Sequence, residues 1–468
     1  MRAESFPVGQ GLPWLKVATD PELMKEVFQR HLRPLDKKAY QILDCQIFQT
    51  RHQQARWTVQ YVLHLAEPGT GRSQRQWVTG MMCAEDQTRW ARMKKRWLWW
   101  MRERLRRFAP RRGIVGTSPA FAPFYYIPDL DMLVQVFPYD RQLPALPLLI
   151  AGPPTELEPL LLARFGSGDW QTESWDAEPV RYLAEKRATL RLTVRARHVT
   201  TGRTEEKRFY AKVYHDEEKG KQTYEVLRTL WENASAGGEG FTVGRLVAYL
   251  SDLRALIQEE VTGTSLQDML HRGDDVTPAV RRVARALAAL HLDSMTLSQR
   301  RPLQREVNIL GKAGELIQGT CPHLKSEIEE IIGTIVAGLE EVPPVPSHCD
   351  FLPAHIVFDG DHLVLLDLDE FAGADPLLDV TRLLSPLANA PLRYPLQERD
   401  RARMAARAFV QEYFTCAPKT WRTRLPLYYA IAVLKMAGAI SRRRASGACD
   451  EIETLVGEAR DSLAGKVW

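Results

Sequence analysis

The residues whose types and spacing could do chemistry lie close together, between positions 348 and 367. His348 and Asp350 come first, His355 follows, and Asp367 closes the set. Phosphoryl transfer needs one carboxylate that orients an attacking hydroxyl and takes its proton, and a further oxygen ligand that holds Mg²⁺. Each residue alone is more simply a turn aspartate or a buried histidine. The ordered set is therefore what carries the hypothesis of a phosphoryl-transfer site.

A hairpin is predicted to bring these groups together. Two apolar runs, 356–358 and 363–366, flank Asp359-Gly360-Asp361. An Asp-Gly pair between apolar runs is a strong hairpin signal. A turn centred there places His355 opposite position 366 or 367. We therefore expect His355 and Asp367 to meet at the open end of the hairpin, beside the loop that carries the first aspartate.

The run 347–384 resembles the Brenner motif region of the aminoglycoside phosphotransferase and choline kinase superfamily. Within it, 367–370 looks like the family's IDFD segment, and 373–379 looks like the GDPxxDL segment that begins a helix. An aspartate followed by proline can cap and open a helix. We expect Asp375 and Asp379 to be structural rather than catalytic.

The resemblance implies roles for the residues of the loop. Kinase catalytic loops read His-x-Asp-x-x-x-x-Asn, which implies Asp350 as the catalytic base, His348 as an internal brace at the catalytic loop and Asp367 as a Mg²⁺ ligand. His355, the second candidate metal ligand, occupies the Asn position. Maltokinases of the superfamily also replace that Asn.

An imidazole is a poorer ligand for Mg²⁺ than an amide oxygen, so three outcomes stay open for the metal. Asp367 holds Mg²⁺ alone, with His355 bonded to a phosphate or bracing Asp350. Alternatively, the site prefers a softer ion such as Mn²⁺. In the third case catalysis is lost.

Lys212 is the candidate phosphate-binding residue for ATP. The run 209–214 resembles the family's strand that carries such a lysine, and the two-residue period puts Tyr210 on the same face as a candidate adenine contact. The next helix should supply a partner carboxylate, for which Glu225 is chosen. Its competitors are Glu217 and Glu218.

The adenine itself is expected to contact backbone groups where the two lobes join. The residues assigned to this contact are Glu259, Glu260 and Val261. No glycine-rich loop precedes Lys212. The corresponding place is 182–187, where Lys186 or Arg187 could contact phosphate instead.

The expected fold class is α+β, a two-lobed protein-kinase-like fold with a small antiparallel-sheet N-lobe, a helical C-lobe and an additional N-terminal α+β domain of uncertain role. Apolar and polar residues alternate along 190–197, which indicates a half-buried strand. Five strands around one helix, and a mostly helical half from Thr277, follow the plan of kinases. The family resemblance covers about 178–468. A Gly-rich cluster at 166–169 is the best domain boundary. The predicted domains are 1–175, 176–260 and 261–468.

The composition is that of an ordinary globular protein, with 468 residues of which 45% are hydrophobic and 26% charged. No run approaches the ~18 apolar residues of a membrane span, and residues 1–30 lack the apolar core of a signal peptide. A cytoplasmic protein is therefore expected. The cysteines lack CxxC spacing, which favours reduced thiols over disulfides or a zinc site. They are Cys45, Cys83, Cys321, Cys349, Cys416 and Cys449.

The basic charge of the chain is concentrated in one segment, from Arg89 to Arg112. It holds eleven Lys or Arg and one acid, a charge of +10 against +5 for the whole chain, so the remainder sums to 5 − 10 = −5. Together with four tryptophans, this segment could contact a nucleic acid or an anionic membrane surface. The favoured alternative is a helix over 89–108 that buries its aromatic residues in its own domain and solvates its arginines.

These observations predict an ATP- and Mg²⁺-dependent phosphotransferase that acts on a hydroxyl of a small molecule. A sugar, an amino alcohol or an aminoglycoside-like compound fits the family. The C-lobe helices, where acidic residues of the family receive cationic substrates, show no dense acidic cluster beyond the catalytic loop. This disfavours an aminoglycoside or choline and leaves a sugar, an amino alcohol or another hydroxyl compound. The competing class is a pseudokinase that binds nucleotide or acts as a scaffold without turnover. The oligomeric state is not determined by the sequence.

Overall fold

The structure is a computed structural model, and its contacts divide the chain into two compact units. The first comprises Met1–Gly220 and Val247–Glu260, and the second comprises Lys221–Leu246 and Val261–Trp468. The described residues are 13–35, 40–53, 56–67, 71, 73–83, 91, 95, 120–235, 240–389, 396–442 and 448–467.

The first unit begins with two short helices and a sheet. Asp20 caps the second helix, because its side chain accepts hydrogen bonds from the amides of Glu22 and Leu23 at 3.0 and 3.1 Å. Phe28 and Leu63 are fully buried between this helix and the sheet, and each such side chain contributes about 1.5–3 kcal/mol. The elements are α1 (Pro13–Ala18), α2 (Pro21–His31), β1 (Gln41–Gln53), β2 (Arg56–Ala66), β3 (Ser73–Cys83), β4 (Phe124–Ile127) and β5 (Met132–Val136), with strand order β1-β2-β3-β5-β4.

The second sheet of this unit carries the predicted nucleotide-binding strand. Two short helices, α3 (Leu146–Ala151) and α4 (Glu158–Leu162), precede it. The strands are β6 (Trp170–Leu183), β7 (Arg187–His198), β8 (Thr204–Tyr214), β10 (Leu246–Leu250) and β11 (Ala255–Glu259), in the order β10-β11-β8-β7-β6. The alternating residues Leu190 and Leu192 are fully buried and belong to the same core as Leu149 of α3. The strand predicted from alternation is thus present, and residues N-terminal to the sheet share its core.

The second unit is mainly helical. The long helix α5 (Glu217–Ser235) connects β8 to this unit. The helices that follow are α6 (Leu266–His271), α7 (Thr277–Leu292), α8 (Leu303–Thr320), α9 (Lys325–Gly338), α10 (Leu377–Asn389), α11 (Leu396–Cys416), α12 (Leu425–Ser441) and α13 (Ala448–Leu463). The apolar helix α12 packs against α8, α10 and α13, and α7 packs against α11.

Short strands position the candidate site among these helices. Strands β9 (Thr242–Val243), β12 (Thr264–Ser265), β14 (Ile356–Asp359) and β15 (His362–Leu365) pair in the order β12-β14-β15-β9, and β13 (Val345–Ser347) pairs with β16 (Ala372–Ala374). Ile356 pairs with Leu365, and Asp359 with His362, so the predicted hairpin turn lies at 360–361. Gly360 has φ 56°, a conformation that favours glycine in such turns.

The predicted α+β fold class is confirmed, with two sheets in the first unit and a mainly helical second unit. One prediction about the cysteines is wrong, because Cys321 and Cys449 form a disulfide across 128 residues. The end of α8 and the start of α13 bring their Cα atoms to 5.9 Å, a proximity that sequence spacing does not show. Cys45, Cys83, Cys349 and Cys416 are free thiols.

Among the described residues, no helix combines the length and the apolar character of a membrane span. Apart from positions 91 and 95, the predicted helix 89–108 lies outside the described residues.

Two glycines of the second unit make opposite predictions about stability. Gly263 has φ 109°, and a Cβ added there would lie 2.2 Å from the carbonyl oxygen of Phe358. Gly263→Ala should therefore lower the urea midpoint, at a cost of about 1–3 kcal/mol. Gly311 lies inside α8 with nothing within 4 Å of an added Cβ. Gly311→Ala should raise the midpoint, because the free energy of unfolding should increase by about 0.5–1 kcal/mol. Equal midpoints for the two variants would contradict the backbone description.

Candidate active site

One buried carboxylate fixes the start of the catalytic loop. β13 ends at Ser347, which pairs with Ala372 of β16. The amides of the next two residues, His348 and Cys349, donate to Asp379 Oδ2 and Oδ1 at 2.6 and 2.7 Å. Asp379 is fully buried in the first turn of α10. Because both of its oxygens are used, the direction of the loop as well as its position is set.

A histidine of α7 also contacts this carboxylate. His291 Nε2 lies 3.3 Å from Asp379 Oδ2, and His291 Nδ1 lies 2.7 Å from the hydroxyl of Tyr413.

Cys349, whose amide donates to Asp379, has a left-handed conformation with φ 62°. Such a conformation costs of order 1–3 kcal/mol in a residue other than glycine. Burial raises the pKa of the Cys349 thiol, so this side chain stays protonated and is a poor nucleophile. The expectation that Asp379 is structural agrees with this geometry.

His348 is fully buried between the two segments that carry the candidate carboxylates. Its Nε2 lies 2.8 Å from the carbonyl oxygen of Leu366, and its Nδ1 lies 3.4 Å from the amide nitrogen of Asp350. A carbonyl only accepts and an amide only donates, so the proton sits on Nε2 and the lone pair on Nδ1. Burial lowers the pKa of His348, which favours this neutral form. The ring therefore acts as a brace between the catalytic loop and the residue before Asp367.

Asp350, His355 and Asp367 converge, as the hairpin predicted. The amide of Leu366 donates to the His355 carbonyl at 2.8 Å, which sets these residues opposite one another. His355 Nδ1 lies 2.8 Å from the carbonyl oxygen of Asp350, so Nδ1 is the donor and the lone pair is on Nε2. That Nε2 lies 3.7 Å from Asp367 Oδ2. One candidate ligand atom from each of the three side chains lies within 4.8 Å of the others.

This donor set fits a divalent cation. Asp367 offers a hard carboxylate oxygen, which suits Mg²⁺, and His355 turns a nitrogen lone pair toward it, which suits a transition metal such as Mn²⁺ better. Asp367 has φ 58°, a second left-handed residue at the site. Backbone strain of this kind is concentrated at ligand-binding and catalytic positions.

Arg382 is a residue that sequence reasoning missed. Its Nη2 lies 2.8 Å from Asp350 Oδ1, and the two side chains are 38% and 29% exposed. Arg382 lies one turn after Asp379 on α10, so the helix that anchors the loop also positions the Asp350 carboxylate. The available signal was the helical spacing of three residues from Asp379. That spacing becomes informative only when the loop is known to lie against α10.

Tyr210 and Lys212 share one face of β8, as predicted. Both are partly exposed, whereas the alternating residues Phe209, Ala211 and Val213 are buried in the core of the first unit. Lys212 pairs with Thr189 of β7 and with Leu256 of β11. Burial, and then the nearby Glu260, raise the pKa of the Tyr210 hydroxyl. The face that the sequence assigned to nucleotide is therefore accessible.

Other predicted nucleotide residues have different surroundings from those expected. Glu225 is 56% exposed and forms an ion pair with Arg228 one turn later, so its carboxylate is already engaged on its own helix. Its role as the partner of Lys212 stays a prediction. The Glu260 amide already donates to the Arg208 carbonyl at 3.0 Å, which removes it as a donor to adenine. Glu259 Oε1 lies 3.6 Å from Arg164 Nε. Val261 is the first residue of the second unit after β11.

Asp379 and Asp350 are expected to respond differently to the same conservative change. Asp379→Asn replaces one of two buried acceptor oxygens by a donor group, so unfolding should become easier by about 2–4 kcal/mol. Asp350→Asn alters a partly exposed group and should change stability by less than about 1 kcal/mol. Urea or thermal unfolding midpoints provide the comparison. An Asp379→Asn protein as stable as the parent would contradict the anchoring role.

The family model described as "Phosphotransferase enzyme family" matches residues 175–418, just over half of the chain. No protein of curated function matches. The segment matched includes β8, the catalytic loop and α10, and it begins where the second sheet forms.

Several solved structures are similar at low sequence identity. An ADP-bound aminoglycoside phosphotransferase is 15% identical with a TM-score of 0.39, covering 66% of this chain and 99% of that chain. A choline/ethanolamine kinase family protein from Mesorhizobium loti is 14% identical with a TM-score of 0.39, covering 62% and 92%. An amicoumacin kinase in complex with AMP-PNP and Ca²⁺ is 11% identical with a TM-score of 0.41, covering 66% and 94%. From the match of the family model, the chain belongs to the phosphotransferase enzyme family.

Proposed function

We propose that this protein transfers the γ-phosphoryl group of ATP to a hydroxyl of a small molecule, with Asp350 as the base. The observation that carries the proposal is the convergence of Asp350, His355 and Asp367 at the open end of one hairpin. Membership of the phosphotransferase family supports the reaction class. The acceptor, the metal and the role of each residue are our inference.

In the proposed reaction, the acceptor hydroxyl oxygen forms a bond to the γ-phosphorus while the bond from that phosphorus to the β–γ bridging oxygen breaks. The hydroxyl proton moves to the Asp350 carboxylate, and ADP leaves. Arg382 holds Oδ1 of this carboxylate, which directs Asp350 Oδ2 to the acceptor. The brace formed by His348 keeps the base at a fixed distance from Asp367.

The nucleotide and the metal would be bound by residues assigned to each of them from the sequence. Asp367 would bind Mg²⁺, with the His355 Nε2 lone pair as a further ligand or as a contact to phosphate. A bound Mg²⁺ would neutralise charge on the β- and γ-phosphates. Lys212 would bind phosphate, and Tyr210 would contact adenine. Backbone groups of Glu259 and Val261, and the carbonyl of Glu260, remain candidates for the adenine edge.

The acceptor is proposed to be neutral or anionic rather than cationic. Arg382 is the charged group that contacts the base directly, and it is 38% exposed. A guanidinium at this place repels a cationic acceptor and attracts one with a hydroxyl beside a carboxylate or phosphate. A sugar or a hydroxy acid fits these conditions better than an aminoglycoside or choline.

A pseudokinase is the second candidate, favoured by one observation. His355 stands where kinases place a metal-binding Asn, and an imidazole suits Mg²⁺ poorly.

Two further properties stay proposals: a cytoplasmic location, and contact of the segment 89–112 with an anionic surface.

The assignment of the base is tested by a matched pair of variants. Asp350→Asn should lower kcat by roughly 10²–10⁴-fold because an amide cannot take the hydroxyl proton. Asp361→Asn, an exposed change in the turn of the same hairpin, should leave kcat unchanged. The measurement is ADP formation in the presence of a panel of hydroxyl metabolites. Parent-like turnover by Asp350→Asn would remove Asp350 from the mechanism.

The metal assignment predicts a change of ion preference in His355→Asn. An amide oxygen suits Mg²⁺ better than an imidazole nitrogen, so the ratio of turnover with Mg²⁺ to turnover with Mn²⁺ should rise relative to the parent. Titration of each ion at saturating ATP measures the ratio. An unchanged ratio would place His355 outside the metal shell. Turnover that appears only in the variant would establish the pseudokinase.

A further inference from the structure

The turn between β6 and β7 lies beside the strand that carries Lys212. Ala188 pairs with Val213, and Thr189 pairs with Lys212, so the turn at 184–186 extends just past the end of β8. The amide of His215, the residue after β8, donates to the Lys186 carbonyl at 2.9 Å. This turn occupies the place where kinases carry a glycine-rich phosphate loop, yet 182–187 contains no glycine.

The turn contains a buried carboxylate that two distant arginines hold. Glu185 is 6% exposed and left-handed, with φ 60°. Its Oε2 lies 2.7 Å from Arg56 Nη2, and its Oε1 lies 2.8 Å from Arg141 Nη2. Arg56 begins β2 of the N-terminal sheet, and Arg141 follows β5. A glutamate at the tip of a hairpin is ordinarily solvated, so its burial by residues of another sheet needs a reason.

The backbone of the turn is held from the same side. Asp140, 2% exposed, accepts hydrogen bonds from the Glu185 amide at 2.7 Å and from the Tyr182 hydroxyl at 2.8 Å through Oδ2. Arg51 Nη2 of β1 donates to the Ala184 carbonyl at 2.6 Å. Residues 51–141 thus hold the turn in three ways: by ion pairs to the buried Glu185 side chain, by accepting a hydrogen bond from the Glu185 amide, and by donating one to the Ala184 carbonyl.

The contacts between this turn and residues 51–141 fix the conformation of the turn more than they raise the free energy of unfolding. Buried ion pairs stabilise a fold weakly, because desolvation of the charges offsets most of their attraction. A glycine-rich loop adapts to phosphates through backbone freedom, whereas a turn without glycine must be positioned in advance. The N-terminal sheet supplies that positioning here, next to the exposed side chain of Lys186.

We propose that the N-terminal region is part of the nucleotide site: through Arg56, Arg141 and Asp140 it locks the β6–β7 turn in the conformation that receives the phosphates of ATP. Glu185 is the positioning residue through which it acts. The inference rests on the proposed function, because it takes the ligand of this sheet to be ATP.

The binding test uses the full chain and AMP-PNP with Mg²⁺ in calorimetric titrations. Glu185→Gln and Arg56→Gln should each weaken AMP-PNP binding about tenfold, as expected if the receptive turn is populated about a tenth of the time. Arg56→Lys keeps the charge and should recover part of the loss. Glu178→Gln is the matched control, since it removes an exposed ion pair to Arg191 on the same hairpin and should bind like the parent. A lower unfolding midpoint with unchanged AMP-PNP affinity would overturn the proposal.

Hydrogen exchange decides the locking step even where a variant fails to fold. In the parent without nucleotide, the amides of 184–186 should already exchange slowly, and AMP-PNP should slow them little further. Fast exchange that only AMP-PNP slows would overturn the proposal. Lys212→Ala separates this inference from the proposed function. If Lys212→Ala weakens AMP-PNP binding and Glu185→Gln does not, the locking role alone fails. If the parent does not bind AMP-PNP, the proposed function fails, and the inference fails with it.

Discussion

Both oxygens of the buried Asp379 carboxylate hold the start of the catalytic loop, and the rest of the site depends on that contact. The loop can then place Asp350 against His348 and return into the hairpin through His355. Arg382, on the same helix as Asp379, reaches the Asp350 carboxylate only because the loop lies where Asp379 holds it. Asp379 and Arg382 therefore share α10, and burial of the Asp379 carboxylate is tolerated because a backbone amide donates to each of its oxygens.

The same principle operates in the first unit, at the β6–β7 turn. There Glu185 and Asp140 are buried and receive their hydrogen bonds and ion pairs from distant segments of the N-terminal region. In both units a turn in a left-handed conformation is fixed by a carboxylate. Arrangements of this kind cost free energy to bury and are justified by the precision they give to neighbouring groups.

The sequence was informative where the relevant contacts are local. The hairpin, its turn at 360–361 and the meeting of His355 with Asp367 follow from two apolar runs around an Asp-Gly pair, which is a short-range signal. The alternation along β7 is equally local. Arg382, the Cys321–Cys449 bond and the burial of Glu185 could not be predicted, because each depends on packing between segments far apart in the chain. The inward packing of the helix that carries Glu225 is also a local signal, but it does not specify which acid faces Lys212, and Glu225 itself is exposed and forms an ion pair with Arg228.

The proposed reaction moves a phosphoryl group from ATP to a carbon-bound hydroxyl. Phosphorus-31 NMR of the full chain with ATP, Mg²⁺ and pooled neutral and anionic hydroxyl compounds observes this directly. Loss of the γ-phosphate resonance is expected, together with growth of a phosphomonoester resonance that requires the acceptor pool. A spectrum in which ATP stays intact, or in which its γ-phosphate appears only as inorganic phosphate, with Mg²⁺ and with Mn²⁺, would contradict phosphoryl transfer to a hydroxyl acceptor.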